Sequence, residues 1–312
     1  MDDITDVTEN VLMCCCLMVL LYVLVCFNLK RRSILNLFKM LNELNRFEAP
    51  VDQAETEGKA GLISKLFVIY GVIGGSMYYY LPLFFMDRCE QRKTQTEYSQ
   101  PCGLFTHIWL PFRFDYTPVF QFVVFFQVFP CYFFTCTVIS IFTLLCGFVL
   151  HAICHLRQFK QRIYNVFIET DPLLAVRDCV IYHIEIIRFC EHIDESFSPL
   201  CFIHVTITSL NLSILAFEAV QLASLYEYFR LSLHFMGWLS VLFLVCYSGQ
   251  QLIDESFSIC EAIYDTNWAE ADVEIQKYVL LILLRSQKPL TLSTGAFGIL
   301  SLEMFLSVSI VV

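Results

Sequence analysis

Six stretches of the chain run for close to twenty residues with almost no charge: 11–29, 62–86, 118–150, 199–223, 231–253 and a shorter 297–312. A helix rises about 1.5 Å per residue, so about 20 such residues match the ~30 Å hydrocarbon core of a bilayer. Inside lipid every backbone N–H and C=O must find its partner within the protein, and for an open chain of this length the helix is the solution. The sequence therefore predicts an all-α fold, a polytopic transmembrane helix bundle forming a single membrane-embedded domain over residues 1–312. Composition agrees. The chain is 57% apolar and 16% charged, against roughly 45–50% and about 25% in soluble domains.

The third run has 33 residues, about 50 Å of helix at ~1.5 Å per residue, and must project beyond the lipid. The sixth has 16, about 24 Å by the same rise, so the last helix is expected to be cut short. Residues 1–10 hold four acidic side chains and no Lys or Arg, unlike a secretory signal, so the first run reads as a retained span. Fifteen of the twenty Lys and Arg fall in the loops after the first, third and fifth spans, counting Lys65 at the edge of the second span with the first of these loops. The positive-inside rule makes those loops cytoplasmic and the N-terminus extracellular. Segments 176–189 and 273–285 mix apolar and charged residues as amphipathic helices do, so 151–198 and 254–296 are expected to extend the spans into the cytoplasm. A net charge of −10 without basic clusters argues against a nucleic-acid partner.

Reaction chemistry finds no foothold. No Gly-x-Gly-x-x-Gly, Walker A or Gly-x-Ser-x-Gly pattern sits in a plausible context, so neither catalytic residues nor a cofactor are expected. His151, Cys154 and His155 could share a helix face, but the Glu of a zincin is missing, and with Arg157 nearby they read as a helix end rather than a metal site. Cys89 and Cys102 share the long extracellular loop, which leaves a disulfide between them open. The Asn211-Leu-Ser213 sequon lies within a span, out of reach of glycosylation. Glu303, inside the last span, is expected to face water or a neighbouring chain. Glu218 and Gln221 read as interfacial. The hexapeptide Ile-Asp-Glu-Ser-Phe-Ser occurs at 193–198 and again at 253–258; it is either a coincidence or an acidic vestibule for cations around Asp194, Glu195, Asp254 and Glu255.

Aromatic residues gather in the outer halves of the spans: Tyr78, Tyr79 and Tyr80 after Gly74 and Gly75, then Phe122, Phe125 and Phe126, then Phe235 and Trp238. Aromatics also pack between helices and form interfacial belts, yet an apolar pocket lined by such groups suits a small volatile molecule. Gly75, Tyr78, Tyr79, Phe122, Phe126, Phe235 and Trp238 are the candidate ligand contacts.

The C-terminal third carries an ordered set of short motifs: Cys246-Tyr247 with Gly249, then Ser256, then Tyr264 with Trp268, then Gln287-Lys288-Pro289, then Ser301-Leu302-Glu303. In that order they resemble the C-terminal signature of insect odorant receptors. Upstream, Leu110-Pro111-Phe112 before Pro118 and Phe197-Ser198-Pro199 resemble the entries to the family's fourth and fifth spans. The resemblance implies that the six spans correspond to the family's second to seventh, with the first absent and the last incomplete. It implies a tuning-type receptor of the plasma membrane, a ligand-binding subunit that binds a small volatile odorant and forms an odorant-gated cation channel as a hetero-tetramer with the family's common co-receptor. It further implies that Ser301, Glu303 and Ser307 belong to the pore segment, and that Tyr264, Trp268, Gln287 and Pro289 belong to a cytoplasmic anchor that joins subunits. A gustatory receptor is the alternative, ranked second because the expected Thr-Tyr and Gln-Phe residues of its last span are absent. A G-protein-coupled receptor ranks below it, since neither Asp-Arg-Tyr nor Asn-Pro-x-x-Tyr stands where it should. A transporter comes last, as no repeat relates the two halves of the chain.

Overall fold

The computed structural model describes residues 2–47, 49–87, 102–106, 108, 110–221 and 225–311. Among them the chain forms α1 (Asp2–Leu44), α2 (Gln53–Phe84), α3 (Val119–Asn165), α4 (Pro172–Gln221), α5 (Leu225–Tyr264), α6 (Val273–Ser286) and α7 (Leu302–Val311). Single 3-10 turns stand at Trp268–Glu270 and Gly295–Phe297. Helices α1 to α5 are long and apolar enough to cross a membrane. The all-α expectation holds.

Each of these helices outruns its apolar stretch. Helix α3 has 47 residues and α4 has 50, about 70–75 Å at ~1.5 Å per residue, more than twice the hydrocarbon thickness. The amphipathic segment 176–189 and the apolar run from 199 form one helix, which continues through Pro199. Proline there costs one backbone bond, which buried neighbours compensate: Phe197, Leu200 and Cys201 are each at most 2% exposed. Helix α6 stands apart and buries Ile275, Val279, Ile282, Leu283 and Ser286, the i, i+4, i+7 stripe of an amphipathic helix. By contrast α2 buries only Thr56, Gly71 and Pro82, as an apolar helix facing lipid on most sides would.

Packing is uneven along the bundle. Tyr182, Phe159, Phe189, Phe197, Leu37, Leu156, Ile163, Ile186 and Ile193 are among the largest fully buried side chains. All of them lie where α1, α3 and α5 end and α4 begins. Here Tyr182 is held from several sides: its hydroxyl meets His155 Nδ1 at 2.7 Å, Phe47 stacks on its ring at 5.3 Å, and the Arg162 guanidinium lies 5.2 Å over it while donating to the Phe47 carbonyl at 2.7 Å. Arg157 and Lys160 both pair with Glu255.

The two hexapeptide copies brace the segment that leads into α7. Asp194 accepts hydrogen bonds from the Ser293 backbone N–H and hydroxyl, and Ser198 Oγ lies 2.9 Å from Ser293 Oγ. In the second copy Ser256 Oγ accepts from the Leu290 N–H at 2.9 Å. Asp254 accepts from Gln250 and Glu195 is exposed, so Asp194 and Glu255 of the postulated acidic vestibule are already engaged. Within the sixth apolar run the helix begins only at Leu302 and has 10 residues, about 15 Å at ~1.5 Å per residue. Before it, residues 293 and 299 pair as an antiparallel bridge, and Gly295 and Gly298 turn at φ +59° and +99°, values that L side chains adopt only under strain. This strap lies so close to α5 that a Cβ on Gly249 would stand 2.4 Å from the Leu300 carbonyl oxygen.

Candidate functional site

A cavity of about 160 Å³ opens at the other end of the bundle, where α1, α3 and α5 begin. Its walls come from five helices: Leu12 and Cys16 of α1, Tyr70 to Tyr79 of α2, Pro130 to Ile139 of α3, His204 of α4, and Leu233 to Val241 of α5. The void exists because glycine stands where a side chain would fill it. Gly71, Gly74 and Gly75 form one wall, with Gly237 across from them. Gly71 also sets the distance between α2 and α3, since a Cβ there would stand 2.5 Å from Ile139 Cδ1. Across the gap the Tyr70 hydroxyl donates to the Leu233 carbonyl at 2.8 Å, tying α2 to α5 in the absence of larger packing residues.

An array of rings crosses the cavity. Phe142 and His204 have centroids 4.3 Å apart, His204 and Trp238 6.1 Å, Trp238 and His234 6.4 Å, and His234 and Tyr78 4.9 Å. Arg230 lies 5.3 Å from the Tyr78 centroid, a cation–π contact at the cavity's edge. Tyr79 packs edge-on against Phe105 and Tyr132, and its hydroxyl lies 3.3 Å from Thr135 Oγ1. Trp238 Nε1–H donates to His234 Nε2 at 2.9 Å.

Some polar atoms at this end are buried without a hydrogen-bond partner among the described residues: His204 Nε2, His234 Nδ1, Thr208 Oγ1 and both amide atoms of Asn211. His204, Thr208 and Asn211 stand at i, i+4 and i+7 on one face of α4 and are at most 4% exposed. Their neighbours differ: the hydroxyls of Thr206, Ser209 and Ser213 turn back to the carbonyl four residues earlier. Buried groups left unpaired are unusual and mark places where the interior is unfinished.

The sequence candidates divide. Gly75, Tyr78, Tyr79 and Trp238 line this cavity. Phe122 and Phe126 do not; they are 60% and 71% exposed, on a face of α3 shared with Phe125, Phe129 and Phe133, where rings cover the outside of the bundle. Phe235 faces the packed core instead. Glu218, read as interfacial, is buried at 6% exposure; the side chain of Gln221 lies outside the described residues. In α7, Ser301 Oγ caps the helix by accepting from the Met304 N–H at 3.2 Å, Ser307 Oγ donates to the Glu303 carbonyl, and the Glu303 side chain is exposed. Tyr264 is 67% exposed, Trp268 packs its ring against the main core, Gln287 is exposed and Pro289 half-buried. Cys102 is disulfide-bonded, and Cys89 lies outside the described residues. Among the described residues no cluster of His, Cys, Asp and Glu has the geometry of a metal site; His155 serves Tyr182 instead. Sequence reasoning overlooked Tyr70, His204, His234 and Gly237. A histidine within an apolar run was the available signal, because polar side chains are rare there and costly.

The family described as 7tm Odorant receptor matches residues 3–310. Over 140 residues the chain is 29% identical to an odorant receptor coreceptor of Aedes aegypti, covering 43% of this chain and 29% of that protein. Over 204 residues it is 24% identical to odorant receptor 13a of Drosophila melanogaster, covering 58% and 49%. The chain thus matches about half the length of these curated relatives or less. The solved structure of insect olfactory receptor OR5 from Machilis hrabei in complex with eugenol superposes with a TM-score of 0.82 at 18% identity, over 99% of this chain and 79% of that one. At that identity the likeness concerns the fold.

Proposed function

The chain belongs to the odorant receptor family, and on that premise we propose that it is the ligand-binding subunit of an odorant-gated cation channel, assembled with the family's common co-receptor in the plasma membrane. The observation that carries this reading is the cavity. It is apolar, ringed by aromatic side chains and held open by glycines, the shape and chemistry of a site for a small volatile molecule. Solved relatives include an olfactory receptor in complex with eugenol, and relatives in sequence include odorant receptor coreceptors.

Helix α5 supplies a route from site to pore. Its first half lines the cavity through His234 and Trp238. About two turns beyond Val241, Gly249 touches Leu300, and Gln250 Oε1 accepts from the Leu302 N–H. A shift of α5 on ligand binding is then felt at the start of α7, where Ser301, Glu303 and Ser307 stand in the proposed pore segment. Differential contacts in two states are what any such gating requires. Tyr264, Trp268, Gln287 and Pro289 belong to the proposed subunit anchor on the cytoplasmic side.

The test is whole-cell current in cells that express this chain with a co-receptor subunit, screened against volatiles and compared with each subunit alone. An odorant-evoked cation current confined to the pair supports the reading; silence despite surface expression counts against it. In the same system Trp268→Ala should reduce co-purification with the co-receptor while leaving ligand preference unchanged.

A further inference from the structure

The cavity's lining is apolar, but the two histidines beside Trp238 make it chemically one-sided. The indole N–H can only donate, so His234 Nε2, which receives it at 2.9 Å, carries no proton. The imidazole is therefore neutral with its proton on Nδ1. That Nδ1–H is buried and meets no acceptor among the described residues. On the other side of Trp238, His204 Nε2 is likewise buried and unpartnered. An unpaired donor in an apolar site lowers the stability of the empty site and favours any ligand that supplies an acceptor.

We propose that this cavity selects small volatiles that carry a hydrogen-bond-accepting oxygen (ketones, aldehydes, esters or ethers) over hydrocarbons of the same shape, with the oxygen held at His234 Nδ1. The inference rests on the reading of the cavity as the odorant site and names the ligand class for it. The ring array gives the geometry. Trp238 and Tyr78 are both ring neighbours of His234, so a molecule lying against the two rings lies beside the imidazole, while the glycines of α2 leave room for its apolar body. Trp238 fixes which imidazole nitrogen carries the proton; Nδ1–H is closed off in the empty cavity, and on binding the His234 side chain turns to present it to the oxygen.

The experiment measures equilibrium binding to the full chain in lipid nanodiscs by tryptophan fluorescence. The probes are matched pairs that differ only in C=O against C=CH₂: acetophenone with α-methylstyrene, and cyclohexanone with methylenecyclohexane. The expected result is a preference of about tenfold or more for the carbonyl member of each pair that binds. In His234→Phe that preference should fall to about twofold or less. His234→Asn, whose amide N–H reaches a position near Nδ1, should retain it. Equal affinity of both members for the unmodified chain, or a preference that survives in His234→Phe, overturns the inference and leaves the cavity as an odorant site. Failure of every probe to bind overturns both.

Discussion

The two ends of the bundle solve opposite problems with the same helices. Where α3 ends and α4 begins, large side chains interlock and polar groups are matched. Tyr182 alone engages His155, Phe47 and Arg162, and Glu255 holds two cations. At the cavity end glycine replaces bulk, rings meet at 4.9–6.4 Å without closing the space, and several buried polar atoms have no partner among the described residues. Close packing with satisfied hydrogen bonds makes a rigid platform. Loose packing with unpaired groups leaves binding energy to be supplied by a ligand. Stability thus resides at the first end and recognition at the second, and α5 spans both.

Mutations can show whether the two ends act separately. The largest effect is expected at the junction. Gly249→Val places a branched side chain against the Leu300 carbonyl and should abolish ligand-evoked current, a loss of about tenfold or more, while fluorescence-detected binding in the cavity changes by about twofold at most. Parallel loss of binding would mean that the two ends are not separable. Next comes Gly75→Leu, which fills the cavity beside Tyr79 and Tyr132 and should weaken volatile binding by about tenfold, with thermal unfolding of the detergent-solubilised chain changed much less. At the rigid end Tyr182→Phe leaves His155 Nδ1 without its partner and should lower stability by about 1–3 kcal/mol, read as a drop in unfolding temperature with volatile affinity unchanged.

Smaller effects test the surface terms. Glu255→Gln removes the shared carboxylate from Arg157 and Lys160, whose side chains are 44% and 25% exposed. It should cost about 1 kcal/mol or less, and the difference should shrink as salt is raised. The smallest change is expected for Phe126→Ala. The ring is 71% exposed, so stability should move by about 0.5 kcal/mol or less and ligand affinity not at all. A clear loss of affinity there would return the outer face of α3 to the ligand site.

The candidate site was half legible. Tyr78 and Tyr79 could be found because aromatic residues cluster beside a glycine pair, Gly75 because that pair interrupts an apolar run, and Trp238 because it stands with Phe235 in the outer half of a span. Phe122 and Phe126 share the composition of the true lining, and nothing in their spacing tells a ring that faces inward from one that covers the outside: at i and i+4 they lie on one helix face, and either face of α3 is apolar. His204 and His234 belong to different helices, and their meeting around Trp238 depends on the crossing of α4 and α5. The hexapeptide repeat was visible, but its role was not. Asp194 and Ser256 occupy different positions in the two copies and brace the same strap from two helices.

The helical class, the five long apolar segments and the family could be read from the residues alone, because hydrocarbon demands uncharged helices of a minimum length and because the C-terminal motifs keep their order. Where the helices end, which aromatic faces turn inward, and that the void stands at one end of the bundle while the tight core stands at the other emerge only from how the helices pack. Hydropathy records the preference of each residue for lipid or interior, and in a chain this apolar almost every residue satisfies either. The choice between them is made by which helix lies alongside, and that is settled by glycine-sized close approaches such as Gly71 on Ile139 and Gly249 on Leu300 and by polar pairings between residues far apart in the chain.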